Sequence, residues 1–133
     1  MTSYFIGIDV GTGSARAGIF DPKGQLVASA VRDTRTWRSE TDHRVFEQST
    51  SDIWDATCKC IQESLGKANL SKDLIKGIGF DATCSLAVTD MGGKPVIVTE
   101  GEACGSFGER NIILWADHRA DQEAELINKT GSM

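Results

Sequence analysis

"FIGIDVGTGSARAGIFD", residues 5–21, decides the fold. Two apolar runs, residues 4–10 and 15–20, flank Gly11-Thr12-Gly13-Ser14 and read as strands joined by a tight turn. The second run carries no helical cap signal and ends at "DPKG", residues 21–24. That is a turn by composition, with Pro after Asp and Gly closing it. "QLVASAV", residues 25–31, makes a third strand, so the chain opens as an antiparallel meander. The first strand is apolar on both faces, which predicts a central position.

Residues 32–48 are polar without a clear period. A loop of that length is functional or hides short structure. Its run of Arg32, Arg35 and Arg38 reads as a solvated face, with a lid role as the alternative. Ser49, Thr50, Ser51 and Asp52 can cap a helix. Trp54, Cys58, Ile61 and Leu65 then recur on one helical face, with Trp54 and Ile61 as core and Gly66 as the stop. Residues 74–82 read as a buried strand and 85–90 as another. Gly92-Gly93 turns toward "KPVIVT", and residues 101–110 are a glycine-rich loop. Residues 111–115 form a short strand. Asp117 can cap a last helix, with Ala120, Ala124 and Ile127 on one face. The order predicts an α/β domain with a mixed sheet.

At 133 residues the chain has the size of one domain with a real core. A net charge of −5 argues against nucleic acid or an anionic membrane as the main partner. The longest apolar runs, "VIV" and "IILW", are far too short to span a bilayer. The start "MTSYFIGIDV" lacks a basic leader, so no signal peptide is expected. Cys58, Cys60, Cys84 and Cys104 form no CxxC pair, and His43 and His118 add no metal-site spacing. Reduced thiols in the cytoplasm are the expectation.

The opening loop fits neither common phosphate design. No Lys follows its glycines as Walker A requires, and Arg16 stands where a dinucleotide fingerprint needs Gly. A third design is a hairpin whose backbone N–H groups converge on an anion. Gly11, Thr12, Gly13 and Ser14 are small enough for close approach, and Thr12 and Ser14 add hydroxyls. Arg16 can reach the same anion with a charge-assisted bond of roughly 1.5–3 kcal/mol. Asp9 would repel phosphate unless Mg²⁺ or its water shell lies between them. The alternative is an ordinary hairpin whose glycines serve positive-φ positions. It explains poorly a carboxylate in an apolar strand and a cation at the start of the next.

The Asp-x-Gly-Thr loop followed by Arg, with Asp21 ending the second strand, resembles the first phosphate motif of the actin-like ATPase (ribonuclease H-like) fold. More narrowly, "IGIDVGTGSARAGIFD" resembles the N-terminus of the FGGY carbohydrate kinases. "GIGFDATCSLAVTD" (77–90) resembles that family's sugar-facing strand–loop–strand, and "ILWADHRA" (113–120) its Trp-x-Asp-His-Arg segment. The last two look most like the ribulokinase branch, its D-ribulokinase-like members in particular. The resemblance implies phosphoryl transfer from MgATP to a sugar hydroxyl, with ATP and Mg²⁺ as cofactors. It implies Asp9 as the metal-associated carboxylate and Gly11, Thr12, Gly13, Ser14 and Arg16 as the phosphate loop. Thr83, Cys84, Ser85, Trp115, Asp117 and His118 fall at or near the sugar. Glycerol kinases of the family carry Arg-Glu where this chain has Thr83-Cys84, which points away from glycerol, and the resemblance to the ribulokinase branch implies a ketopentose such as ribulose. Members of the family are three to four times longer. Residues 1–133 therefore correspond to the N-terminal, sugar-side portion. The nucleotide-binding lobe and the general base are expected downstream, the fragment alone is expected to be inactive, and a homo-oligomer is open to the full-length protein. The other classes are a different actin-like ATPase and a non-catalytic sugar- or nucleotide-binding module.

Overall fold

The structure, a computed structural model, describes residues 3–99 and 110–131. The expected loop over 101–110 lies, apart from Arg110, outside the described residues, as does Cys104. The chain forms two compact units. The first is Met1–Arg35 with Ser49–Cys84, and the second is Thr36–Gln48 with Ser85–Met133.

The first unit opens with the expected meander: β1 (Tyr4–Val10), β2 (Ser14–Phe20) and β3 (Leu26–Asp33). β1 pairs antiparallel with β2, and β2 with β3. The turn between β2 and β3 closes as its composition predicts. Gly24, at φ 78°, donates its N–H to the Asp21 carbonyl, and the Asp21 carboxylate accepts from the Lys23 and Gln25 N–H groups. In spatial order the sheet runs β3-β2-β1-β6, where β6 is Ile75–Ala82 and lies parallel to β1. β1 is central, as expected. β6 is not the buried strand its composition suggested. It is the edge strand, and Ile78 and Phe80 are exposed.

Helix α1 (Thr50–Ala68) covers one face of this sheet. Ser49 caps it, its hydroxyl accepting the Asp52 N–H. Ile6, Ile8, Ala17, Ile19 and Ala30 of the strands meet Cys60 of the helix, with Ile61 and Leu65 packed alongside. The buried stripe of α1 is Ala56, Thr57, Cys60 and Ser64, while Trp54 is 61% exposed. The expected face is therefore rotated. Small side chains let the helix lie close to the sheet, and two of them bond to it. Cys60 Sγ donates to the Ala15 carbonyl at 3.3 Å and Ser64 Oγ to the Ala17 carbonyl at 3.1 Å. Burial pushes the Cys60 thiol pKa up, so it remains a neutral donor. Gly66 does not stop the helix. Asn69 does, in the left-handed conformation (φ 51°), with its N–H on the Gly66 carbonyl.

The second unit contains a smaller sheet of very short strands: β4 (Trp37–Arg38), β5 (Phe46–Gln48), β7 (Leu86–Ala87) and β8 (Ile112–Ile113), ordered β4-β5-β8-β7. The polar stretch 32–48 thus hides two strands, and the strand expected over 85–90 shrinks to two residues plus a bridge between Thr89 and Pro95. Gly93, at φ 80°, turns the chain there, with its N–H on the Asp90 carbonyl. Val45, Ile112 and Leu114 are buried, but so are Glu47, Gln48, Arg110 and Asn111. Helix α2 (Asp121–Thr130) buries no residue and has no side-chain cap; Ala120, not Asp117, holds the N-cap position. Arg32, Arg35 and Arg38 are exposed, as a solvated face predicts, and each also has a partner within its own unit. Arg32 pairs with Glu63, Arg35 with Asp52, and Arg38 lies 4.2 Å over the Phe46 ring.

Candidate functional site

The face of the first sheet opposite α1 is covered by no described element of its own unit. Strand pairing lays its side chains out in rungs. Gly7 stands between Gly18 and Gly79, a row without side chains. On the next rung Asp9 stands between Arg16 and Asp81, with Val31 beyond Arg16. The result is a concavity of about 570 Å³, walled by Phe20 and Leu26 and lined by Asp9, Arg16 and Asp81.

Asp9 and Arg16 form an ion pair, Arg16 Nη1 donating to Asp9 Oδ2 at 2.6 Å, both side chains half exposed. A pair so solvated contributes little stability, about 0–1 kcal/mol. Its interest is chemical. The guanidinium has five donors, and Asp9 engages one nitrogen, leaving Nε and Nη2 uncommitted among the described residues. Asp9 and Asp81 also offer two hard carboxylates on one rung of adjacent parallel strands. Mg²⁺ suits this, since it takes one or two carboxylates together with substrate phosphate. Among the described residues, no three or more His, Cys, Asp or Glu are grouped so as to hold a metal ion by themselves.

The loop from β1 to β2 is closed by the Gly11 N–H on the Ser14 carbonyl at 2.9 Å. Gly11 therefore supplies space rather than a donor. The Gly13 carbonyl is tied to the Thr34 N–H, and Ser14 is buried. Neither glycine has a positive φ, so the ordinary-hairpin reason for glycine does not apply. A Cβ on Gly13 would meet nothing within 4 Å. The fold does not require glycine there. Close approach of a ligand to the backbone would.

Thr83 lies beside this loop. Its N–H donates to the Val10 carbonyl at 3.1 Å, extending the parallel pairing of β1 and β6 past their carboxyl ends. Crevices at that end of parallel strands are where open α/β sheets bind ligands. Cys84 follows and is exposed as a free thiol, not the small buried hydrophobe that its chemistry suggests.

Ser85, Trp115, Asp117 and His118 belong to the second unit. Trp115 is 55% exposed, its N–H on Ser85 Oγ at 3.2 Å. The His118 N–H donates to the Arg44 carbonyl, and its exposed ring lies 3.5 Å from Asp121. Asp117 differs: its side chain is 1% exposed and both oxygens are taken. Oδ1 accepts from the Arg119 N–H and Nε, and Oδ2 from the Phe46 N–H at 2.7 Å and Arg119 Nη2 at 2.6 Å. Burial pushes the carboxyl pKa up, but the hydrogen bonds from Arg119 and from the Phe46 and Arg119 N–H groups outweigh it and hold it below the usual value. Those contacts raise the Arg119 pKa, Asp117 first and Glu47 after it. Glu47, fully buried, was not legible as a site residue, because nothing near it in sequence marks it.

A mixed sheet that opens with a three-stranded meander, with a small-residue loop at the carboxyl end of its first strand, defines the N-terminal domain of the actin-like ATPase fold. The chain belongs to the FGGY family of carbohydrate kinases, whose N-terminal domain matches residues 4–133. It is 41% identical over 128 residues to an FGGY carbohydrate kinase domain-containing protein of Homo sapiens, covering 96% of this chain and 22% of that protein. It is 37% identical to a D-ribulokinase of Saccharomyces cerevisiae, again over 96% of this chain but 17% of the relative. The chain thus spans about a fifth of the length of the curated relatives it matches. Among solved structures, a gluconate kinase of Lactobacillus acidophilus aligns with a TM-score of 0.77 at 23% identity, over 98% of this chain and 23% of that one. A xylulose kinase of the same organism aligns at 0.75 and 24%, over 97% and 23%. Both carry the same fold.

Proposed function

We propose that this chain is the N-terminal, sugar-side part of a D-ribulokinase-like enzyme that transfers the γ-phosphoryl group of MgATP to a ketopentose hydroxyl. The observation that carries the reading is the glycine loop. Its glycines serve no backbone need of the hairpin, and it adjoins Asp9, Arg16 and Thr83 at the carboxyl ends of two parallel strands. The 37% identity to a D-ribulokinase, and Thr83-Cys84 in place of an Arg-Glu pair, favour ribulose over glycerol.

In this reading Asp9 holds Mg²⁺, with Asp81 beside it. When bound, the metal neutralises charge on the transferring phosphate, the main demand of phosphoryl transfer. Arg16 donates its uncommitted nitrogens to phosphate oxygens. Thr12, Gly13 and Ser14 line the anion's approach, and Gly11 clears the space. Two motifs supply the sugar-contact residues of this reading: Thr83, Cys84 and Ser85 in residues 77–90, and Trp115 and His118 in residues 113–120. A Trp face suits the apolar side of a sugar. The general base and the adenosine pocket come from outside this chain, and the protein acts in the cytoplasm.

The test is a coupled ADP-release assay of the full-length protein across ribulose, xylulose, pentitols and glycerol. Ribulose should give the highest kcat/KM, and Asp9→Ala should lower kcat about 10²-fold or more. If no sugar in the panel is phosphorylated, the reading is wrong.

A further inference from the structure

The second unit gathers four charges around one turn, three of them buried and Arg119 a quarter exposed. Glu47 is 0% exposed, and its Oε1 accepts from Arg119 Nη2 at 2.8 Å and from the Thr99 hydroxyl. The Thr99 oxygen in turn accepts from Arg119 Nη1 at 2.6 Å. Glu47 Oε2 lies 3.6 Å from Nη1 of the buried Arg110. Arg119 also clasps Asp117. Two arginines and two carboxylates thus balance in charge, and an arginine fork held by fixed acceptors is rigid.

The turn they enclose is pinned at almost every backbone N–H. Leu114 donates to the Phe46 carbonyl, Trp115 to Ser85 Oγ, Asp117 to the Leu114 carbonyl and His118 to the Arg44 carbonyl. The side chains of Trp115 and His118 project from it with more than half of their surface exposed. Asp117, which shares their motif, is turned inward and saturated.

We propose that Asp117 serves the sugar site as a positioning residue: linked through Arg119 to Glu47 and Thr99, it fixes the turn of residues 114–118 that presents Trp115 and His118. This rests on the sugar-contact role given to those two residues above. Glu47 decides between positioning and contact. It is fully buried and cannot touch a sugar, so it affects sugar binding only through the cluster.

The experiment measures sugar KM, ATP KM and kcat of the full-length protein carrying Asp117→Asn, Glu47→Gln and Thr99→Val. The last removes one hydroxyl, keeps every charge, and is the variant that retains the fold if the others do not. Asp117→Asn and Glu47→Gln should each raise sugar KM about tenfold, and Thr99→Val about two- to fivefold, with ATP KM unchanged. The Asp117→Asn/Glu47→Gln double variant should be no worse than its worse single, since both act through Arg119. The proposal is overturned if Asp117→Asn alone raises sugar KM, which marks a direct contact. It is also overturned if no variant changes sugar KM, or if sugar and ATP KM rise together. If the wild type phosphorylates no sugar, the functional reading fails by itself. Hydrogen exchange at the Trp115 and His118 amides then decides this proposal: faster exchange in Asp117→Asn and Glu47→Gln sustains it, and unchanged exchange refutes it.

Discussion

Gly13→Ala separates what the hairpin needs from what a ligand needs. Gly13 does not sit in the left-handed region, and an added Cβ would meet nothing within 4 Å. On folding alone the change should be mildly favourable, about 0.4–1 kcal/mol, because alanine narrows the unfolded ensemble. On nucleotide binding it should be costly. A methyl group placed where phosphate oxygens approach the backbone is an overpacking contact of about 1–3 kcal/mol. At about 1.4 kcal/mol per decade, MgADP should bind roughly 5- to 150-fold more weakly. Titration calorimetry of the full-length protein with MgADP measures the second effect, and thermal unfolding without nucleotide measures the first. Unchanged nucleotide affinity in a folded variant would show that the loop holds no phosphate. A marked loss of stability without nucleotide would show that the hairpin needs the glycine after all.

Two further expectations concern stability. Gly66→Ala, inside α1 with nothing within 4 Å of the added Cβ, should stabilise by about 1 kcal/mol, whereas Asn69→Ala at the left-handed cap should cost about 1–2 kcal/mol; denaturant unfolding checks both signs. Asp117 has a folded pKa below its ordinary value of 3.8, so its stabilisation is complete above about pH 4 and is lost as pH falls through the folded pKa. The stability gap between wild type and Asp117→Asn should therefore be wide at neutral pH and narrow in acid, and a gap independent of pH would refute the assignment.

What the sequence disclosed follows from how local each signal was. The meander was legible because the alternation of its strands and the Asp-Pro-Lys-Gly turn are contained within a few residues. The covered face of α1 was not. Thr57 and Ser64 look like solvent residues and are buried, while Trp54 looks like core and is exposed. Hydropathy does not register a hydroxyl that finds a strand carbonyl. Strands of two or three residues, such as β4, β7 and β8, are too short to show a period. Of the candidate site, Asp9 and Arg16 were readable beside their glycine loop. Asp81 became notable only through its register with Asp9, and Glu47 only through arginines 63 and 72 positions away.

The bonds from Cys60 and Ser64 end on the carbonyls of Ala15 and Ala17, the two residues flanking Arg16. β2 is thus restrained by a strand on each side and by the helix packed across one face. Ordering a residue's backbone costs about 1–2 kcal/mol. An arginine on a loose loop would surrender that freedom at the moment it captured an anion. Arg16 has surrendered it during folding, so only its side chain remains to be ordered by a ligand. On the proposed phosphate role of Arg16, anion binding is thereby linked to helix α1: loosening the helix from β2 should weaken it without altering any residue of the proposed phosphate loop.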